Sequence, residues 1–299
     1  MKSLSIIGSG RIVEEHIKAA LLCNIKIRYI YSSRKDSKNA KRLSKKYKIK
    51  NIETFKEFIL LLKKSDSNIL IAGKISKNFF YLNECVKIKK KILIEKPVFL
   101  KSNHFKKYLP FKNQIFVGFN RIYYQNIQYL KNLLLKSKNL TINCFCPELN
   151  KQRITSNTSH IISILIYLFK KLELIYKDKK KDSIFLRYKL SKNNLINLFI
   201  NYKSLNNFRI EIISSNKFVE LPSIEELRIY NELEKIKFKN NNIYKLKCSH
   251  LSNEYKFNNI KPGILNQMRE FKKFCKGKKI INNLKFAQNI IKICEQIVE

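Results

Sequence analysis

The first stretch of this chain constrains its fold most. An apolar run, Leu4-Ser5-Ile6-Ile7, leads without a spacer into Gly8-Ser9-Gly10-Arg11-Ile12-Val13 and then into an amphipathic segment, Val13 to Leu22. A strand that ends in a glycine turn and opens a helix is the sequence form of a dinucleotide-binding βα unit. Gly8 permits the tight turn, and Gly10 lets the backbone approach a pyrophosphate. The helix start, with Arg11 and Ile12, supplies amide donors and a partial positive charge. Val13 stands where a third glycine is usual, so the closest helix–strand contact is altered.

The alternation continues to residue 118. Strand-like runs at Ile25 to Tyr31, Asn68 to Ala72, Lys91 to Glu95 and Gln114 to Val117 are separated by helical stretches at Ser37 to Tyr47, Phe55 to Leu62 and Asn78 to Lys87. Strands alternating with helices predict a parallel, doubly wound sheet with its ligand edge at the strand ends. Ala72 ends a buried strand at that edge and is placed against the cofactor. From Ile184 to Tyr188, Leu195 to Tyr202, Phe208 to Ile213 and Lys217 to Leu221 the strands follow one another without helices, which predicts a mainly antiparallel sheet, open on one face. Helices are expected at Tyr123 to Leu135, Thr158 to Phe169, Gly263 to Cys275 and Leu284 to Val298, a strand at Leu140 to Cys146, and a solvated turn at Lys177 to Lys181. The fold class is α/β: a doubly wound parallel sheet over 1–119, then an α+β domain over 120–299 whose last helices are open to packing back on the first.

Composition excludes more than it identifies. The net charge is +40, but only ten of the 62 basic residues are arginine, and the lysines are spread along the whole chain. A phosphate-reading face would favour arginine's planar fork. No specific nucleic-acid partner is therefore expected, and no membrane partner either, since no apolar run approaches the roughly 18 residues of a membrane span. The N-terminus has no long apolar stretch or cleavage site of a signal peptide. Seven cysteines form no CxxC pair and Cys144 and Cys146 have no ligating neighbours, so no metal site is expected and a reduced cytoplasm is the simplest location.

Three further segments carry chemistry. Tyr31-Ser32-Ser33-Arg34-Lys35 follows the second strand about 20 residues beyond the glycines, where an acidic residue would receive the ribose hydroxyls of NAD. Here Ser32, Ser33 and Arg34 stand instead, which favours the 2′-phosphate of NADP over NAD. Ile92-Leu93-Ile94-Glu95-Lys96-Pro97 ends a buried strand at the ligand edge. A lysine there would stabilise negative charge developing on a reacting oxygen. Asn157-Thr158-Ser159-His160-Ile161-Ile162-Ser163 places one of only four histidines at a helix start, with Asn157 as the cap. An imidazole there can take or return a hydroxyl proton. His16, His104 and His250 are read as structural or solvated.

The glycine turn, Glu95-Lys96-Pro97, Phe116-Val117-Gly118-Phe119-Asn120-Arg121 and the tail from Lys261 to Phe271 together resemble the Gfo/Idh/MocA (glucose–fructose oxidoreductase and inositol dehydrogenase) family, nearly end to end. The resemblance implies a Rossmann domain and a second domain with an open sheet. It implies hydride transfer between a nicotinamide and a sugar, sugar nucleotide or polyol. Lys96 and His160 then match the family's catalytic lysine and histidine; Glu95, Lys96 and Pro97 lie at the cofactor, and Asn120, Arg121, Arg153 and Asn157 are substrate-contact candidates. Ser156 and Ser163 replace the family's usual acidic residues around the histidine. Together with Val13 they motivate an alternative, a catalytically impaired dinucleotide sensor or scaffold. Self-association as a dimer or tetramer through the open sheet face is also expected.

Overall fold

The computed structural model describes residues 1–34, 36–134, 138–238, 241–255 and 259–299. Lys35, expected in the basic turn, and Leu135, expected at a helix end, lie outside the described residues. The chain forms two compact units, Met1–Tyr123 with Lys256–Glu295, and Tyr124–Tyr255 with Gln296–Glu299.

The first unit begins with β1 (Ser3–Ile7), α1 (Arg11–Leu22), β2 (Lys26–Tyr31), α2 (Lys38–Tyr47), β3 (Lys50–Ile52), α3 (Phe55–Lys64), β4 (Asn68–Ile71), α4 (Asn78–Val86), β5 (Ile92–Glu95) and β6 (Ile115–Gly118). All its strand pairings are parallel, in the order β3-β2-β1-β4-β5-β6. That is the Rossmann order, with its crevice where the order reverses beside β1. The strands read as continuous apolar runs because both faces are covered: Leu4, Ile6, Ile69, Leu70, Leu93 and Phe116 are all fully buried. β3 is an addition to the expected elements. It is three residues long and shows no periodicity of its own.

The second unit comprises α5 (Gln125–Leu134), β7 (Thr141–Glu148), α6 (Thr158–Phe169) and seven further strands. These are β8 (Glu173–Lys179), β9 (Ser183–Lys189), β10 (Leu195–Tyr202), β11 (Arg209–Ile213), β12 (Phe218–Leu221), β13 (Glu226–Phe238) and β14 (Asn241–Asn253). They form one sheet ordered β14-β13-β12-β11-β7-β10-β9-β8, in which β7 and β10 run parallel and the other neighbours antiparallel. The lysine-rich segment expected as a turn is in part a strand: Lys177 to Lys179 pair with Leu186 to Ile184 on β9. Burial alternates strictly along β7, with Ile142, Cys144, Cys146 and Glu148 inward. On the other face Phe145, Phe199 and Phe185 stack across three strands, with centroids 5.1 and 4.9 Å apart.

The closing helices, α7 (Ile264–Cys275) and most of α8 (Leu284–Val298), belong to the first unit. Phe271 and Phe274 pack on Phe116 of β6. The segment before α8 adds to the open edge of β6 through Val117 N–H to the Asn282 carbonyl, 2.9 Å. This covers an edge that would otherwise be free to pair with another chain.

Candidate active site

Two glycines in the first turn do different work. Gly8 has φ of +124° and its α-carbon faces the Ala72 carbonyl, so a side chain there would both strain the backbone and collide with the end of β4. Gly8 N–H donates to the Tyr31 carbonyl (2.8 Å) and Ala72 N–H to that of Ile7 (2.8 Å), which stitches the ends of β1, β2 and β4 together. Gly10 has nothing within 4 Å of the place a Cβ would occupy. The protein itself does not need a glycine at that position; the open space at the start of α1 fits a ligand's approach. Val13 is fully buried on α1, so the third position is filled by core packing. Arg11 is exposed and Ile12 half-buried at the helix start.

The Ser9 hydroxyl lies 3.0 Å from both Ser32 Oγ and Ser37 Oγ. This joins the glycine turn to the end of β2 and to the start of α2, where Ser37 caps the helix. Beside it is a cleft of about 300 Å³, lined among others by Ser32, Arg34, Asp36, Lys41 and Glu53. No acid stands at the end of β2 in the sequence, yet the fold brings Asp36 and Glu53 into the same cleft as Arg34. Asp36 is engaged by Lys41 at 2.8 Å, which holds its carboxyl below the usual range. Ser33 lies toward Tyr81.

Lys96 follows β5 at the same edge of the sheet, and Pro97 after it is buried. Lys96 keeps some exposed surface, yet its surroundings are dense enough that burial pushes its ammonium down to about 7; Glu95 pulls it back up, while Arg121 and Lys261 lower it further. Three cations and one carboxylate therefore share this corner. Glu95 accepts a hydrogen bond from His16 Nε2 at 2.7 Å, and His16 has no exposed surface. The reading of His16 as structural is thereby sharpened: it is tied to the carboxylate beside Lys96. The signal in the sequence is its place on the buried stripe Val13, His16, Ile17, Ala20 of α1, because a histidine inside a core requires a polar partner. Asn120 is buried and donates to the Pro262 carbonyl at 3.0 Å, so its amide holds the start of α7 in place.

In the second unit, His160 lies in the first turn of α6, half-buried, and Arg153 is exposed in the preceding turn. The expected Asn157 cap is not formed. Its side chain accepts nothing from the helix and donates instead to Glu148 Oε2 at 3.2 Å. Glu148, at the end of β7 and 3% exposed, caps α6 from outside: its Oε1 accepts the Thr158 N–H at 2.8 Å and the Thr158 hydroxyl as well. A carboxylate facing the positive end of a helix satisfies orphan amides more strongly than a neutral amide could. Ser163 donates to the His160 carbonyl at 2.7 Å and Ser156 to the Arg153 carbonyl at 3.0 Å. Both serines therefore tie the local backbone. Among the described residues no group of three or more His, Cys, Asp or Glu is placed to hold a metal, and no helix is long and apolar enough to cross a membrane.

A Rossmann sheet with a glycine turn and a lysine at its ligand edge, followed by a unit built on one large mixed sheet, defines a two-part dehydrogenase-type fold. No family model matches the sequence, and no curated protein matches it. Solved structures do, along nearly the whole chain. A dehydrogenase from Clostridium difficile shares 17% identity over 99% of this chain and 98% of that one, with a TM-score of 0.76. UDP-N-acetylglucosamine 3-dehydrogenase from Acidithiobacillus ferrooxidans shares 12% over 99% and 96%, TM-score 0.76. An oxidoreductase from Agrobacterium radiobacter in complex with NAD+, L-tartaric acid and magnesium shares 12% over 98% and 94%, TM-score 0.77. The chain has the fold of these proteins, which is the fold that the Gfo/Idh/MocA resemblance implies.

Proposed function

We propose that this chain is an NADP(H)-dependent oxidoreductase acting on the hydroxyl or carbonyl carbon of a sugar, sugar nucleotide or polyol. The observation that carries the reading is Lys96: a lysine at the ligand edge of a Rossmann sheet, with its ammonium driven to about 7. The residues present suit a dinucleotide. Gly10 leaves room at the start of α1, the cleft at Arg34 suits a 2′-phosphate, and the sheet order reverses beside β1, the strand that leads into Gly10. When bound, the nicotinamide gives or takes the hydride.

The chain's own residues divide the remaining work. As an ammonium, Lys96 donates to the substrate oxygen and stabilises the negative charge that grows there. With a value near neutrality it holds a proton on one side of pH 7 and releases it on the other, which suits a group that must do both. His160 exchanges the hydroxyl proton, and the Glu148 cap fixes the helix that carries it. Arg121, Arg153, Asn157 and Asn120 remain the candidates for holding the substrate, Asn120 through its effect on Pro262. The solved structures of similar fold, a sugar-nucleotide dehydrogenase among them, support a carbohydrate substrate. We also propose self-association through the open sheet face at Phe145, Phe185 and Phe199, which sedimentation at low concentration checks.

The test is a thermal-shift comparison of NADPH with NADH, followed by a panel of keto sugars and sugar nucleotides with the preferred cofactor. Stabilisation by NADPH with turnover of at least one substrate is the expected result. Stabilisation without turnover on the whole panel points to the sensor or scaffold, and no stabilisation by either nucleotide rejects both readings.

A further inference from the structure

Three distant positions converge around Glu95, at the end of β5: His16 from α1, Gly118 from the end of β6 and Gln267 from α7. His16 Nε2 and Glu95 Oε1 are 2.7 Å apart, with the imidazole fully enclosed. A Cβ on Gly118 would come within 2.7 Å of Glu95 Oε1 and 3.3 Å of Gln267 Nε2. The Glu95 side chain therefore lies flat over the bare backbone of β6, with α1 and α7 close beside it. This is a carboxylate boxed on several sides, and the residue after it in the chain is Lys96.

We propose that His16 is a positioning residue, which holds Glu95 in this box and so fixes Lys96 at the end of β5. The inference rests on the oxidoreductase reading above for its importance, not for its geometry. An ordinary core histidine satisfies its ring with a backbone carbonyl nearby. His16 instead reaches a carboxylate 79 residues away in sequence, and its Nδ1 has no hydrogen-bond partner among the described residues. The bond to Glu95 assigns the proton to Nε2 in the neutral ring, leaving Nδ1 an acceptor that carries no hydrogen to satisfy. Among the described residues the ring's one polar tie is to the residue that precedes Lys96. The other charged or titratable groups that act on Lys96 are Arg121 after β6, Lys261 before α7 and Cys294 on α8; of these, only the cations oppose the ammonium, so Glu95 is the main group sustaining it.

Competitive labelling of the whole protein with trace acetic anhydride, read by peptide mass spectrometry across pH, follows Lys96 alone among the lysines. The native midpoint is expected near 7. His16→Leu removes the donor and is expected to lower that midpoint by about one pH unit as the carboxylate leaves its fixed place. His16→Gln, whose amide nitrogen stands about as far from the backbone as imidazole Nε2, restores it; His16→Asn, one bond shorter, does not. Should the leucine variant fail to fold, the contrast between Gln and Asn decides. Native-like midpoints in folded Leu and Asn variants overturn the proposal. Labelling reads Lys96 whether or not any sugar is reduced. A native chain without turnover thus removes the oxidoreductase reading and leaves the role of His16 to be settled by itself.

Discussion

Each unit ends a strand with a partly or fully buried glutamate, and the two glutamates do opposite jobs. Glu95 closes β5 and accepts from the His16 side chain, in the middle of α1. Glu148 closes β7 and accepts from the backbone and hydroxyl of Thr158, at the start of α6. Glu95 sits among cations and acts through its charge, holding up an ammonium that burial and two neighbouring cations push down. Glu148 sits against a helix terminus and acts through geometry, completing a turn whose amides lack partners within the helix. The first unit therefore tunes Lys96 by electrostatics, and the second places His160 by anchoring a helix. Changes at the first site should read out in pH, and changes at the second in stability.

The strongest break in this contrast is Lys96→Met. On the proposed mechanism, in which Lys96 stabilises charge on the substrate oxygen, turnover is expected to fall by about 10²–10³-fold, with NADPH affinity little changed. Stability carries the pH signature. The folded value of about 7 lies below the 10.5 of an ordinary lysine. Between these values the unfolded chain holds a proton that the folded chain has released, so this group makes stability rise with pH across that window and imposes its full penalty below it. Urea unfolding at about pH 6.5 and 9.5, which bracket most of that window, should show a smaller rise in the Met variant than in the native chain. Equal rises would remove Lys96 from the charged corner.

Next comes Glu148→Ala, expected to cost about 2 kcal/mol, since a buried cap is lost and the Thr158 amide is left without an acceptor. Turnover falls through displacement of His160, yet the pH midpoint set by Lys96 stays where it was. A moved midpoint would mean that the two glutamates do not divide charge from geometry.

Legibility from sequence divides along the same line. β1, β4, β5 and β6 are readable because strands buried on both faces are continuous apolar runs, and Lys96 is readable because βα topology fixes the place of the residue after such a run. β8, β13 and β14 are not: their lysines, glutamates and asparagines mask the pattern, and they are strands because long neighbouring strands pair with them. Asn157 reads as a cap because caps are usually local. Glu148, nine residues earlier and on another element, takes that role, and its carboxylate is the better match to a helix terminus. The tie made by His16 is hidden for a related reason: its partner is distant in sequence, so only its place on a buried helical stripe signals that a partner must exist. Glu53 shares a cleft with Arg34 only because β3 pairs with β2, whereas Asp36 stands two residues from Arg34 in the chain.

The cofactor side of the first unit offers a smaller test of the charge argument. Arg34→Ala is expected to weaken NADPH binding about tenfold, near 1.4 kcal/mol, and to leave NADH almost unchanged, because only the 2′-phosphate distinguishes them. Isothermal titration with both nucleotides measures this. Equal losses would place Arg34 on a group common to the two cofactors, and a loss for NADH alone would move the specificity to the Asp36 and Glu53 side of the cleft.

The smallest expected effect sharpens the comparison within α1, the helix that carries His16. Glu14 Oε2 meets Arg42 at 2.7 Å, and its Oε1 meets Lys46 at 2.8 Å and Tyr47 at 3.0 Å, tying α1 to α2. The Arg42 hydrogen bond, then those of Lys46 and Tyr47 against the cost of burial, hold the Glu14 carboxyl down at about 2 instead of 4.5. A depressed carboxyl stabilises the fold above its unfolded value and loses that contribution as pH falls from about 4.5 toward 2. The full shift would correspond to about 3 kcal/mol. Arg42 and Lys46 are about half exposed, and solvent screening reduces the contribution to about 1 kcal/mol. Glu14→Gln should therefore destabilise the chain by about that amount near neutral pH and hardly at all near pH 2, and salt at about 0.5 M should shrink the difference. An effect that ignores both pH and salt would show that Glu14 acts by packing, leaving Glu95 as the glutamate touching α1 that works through its charge.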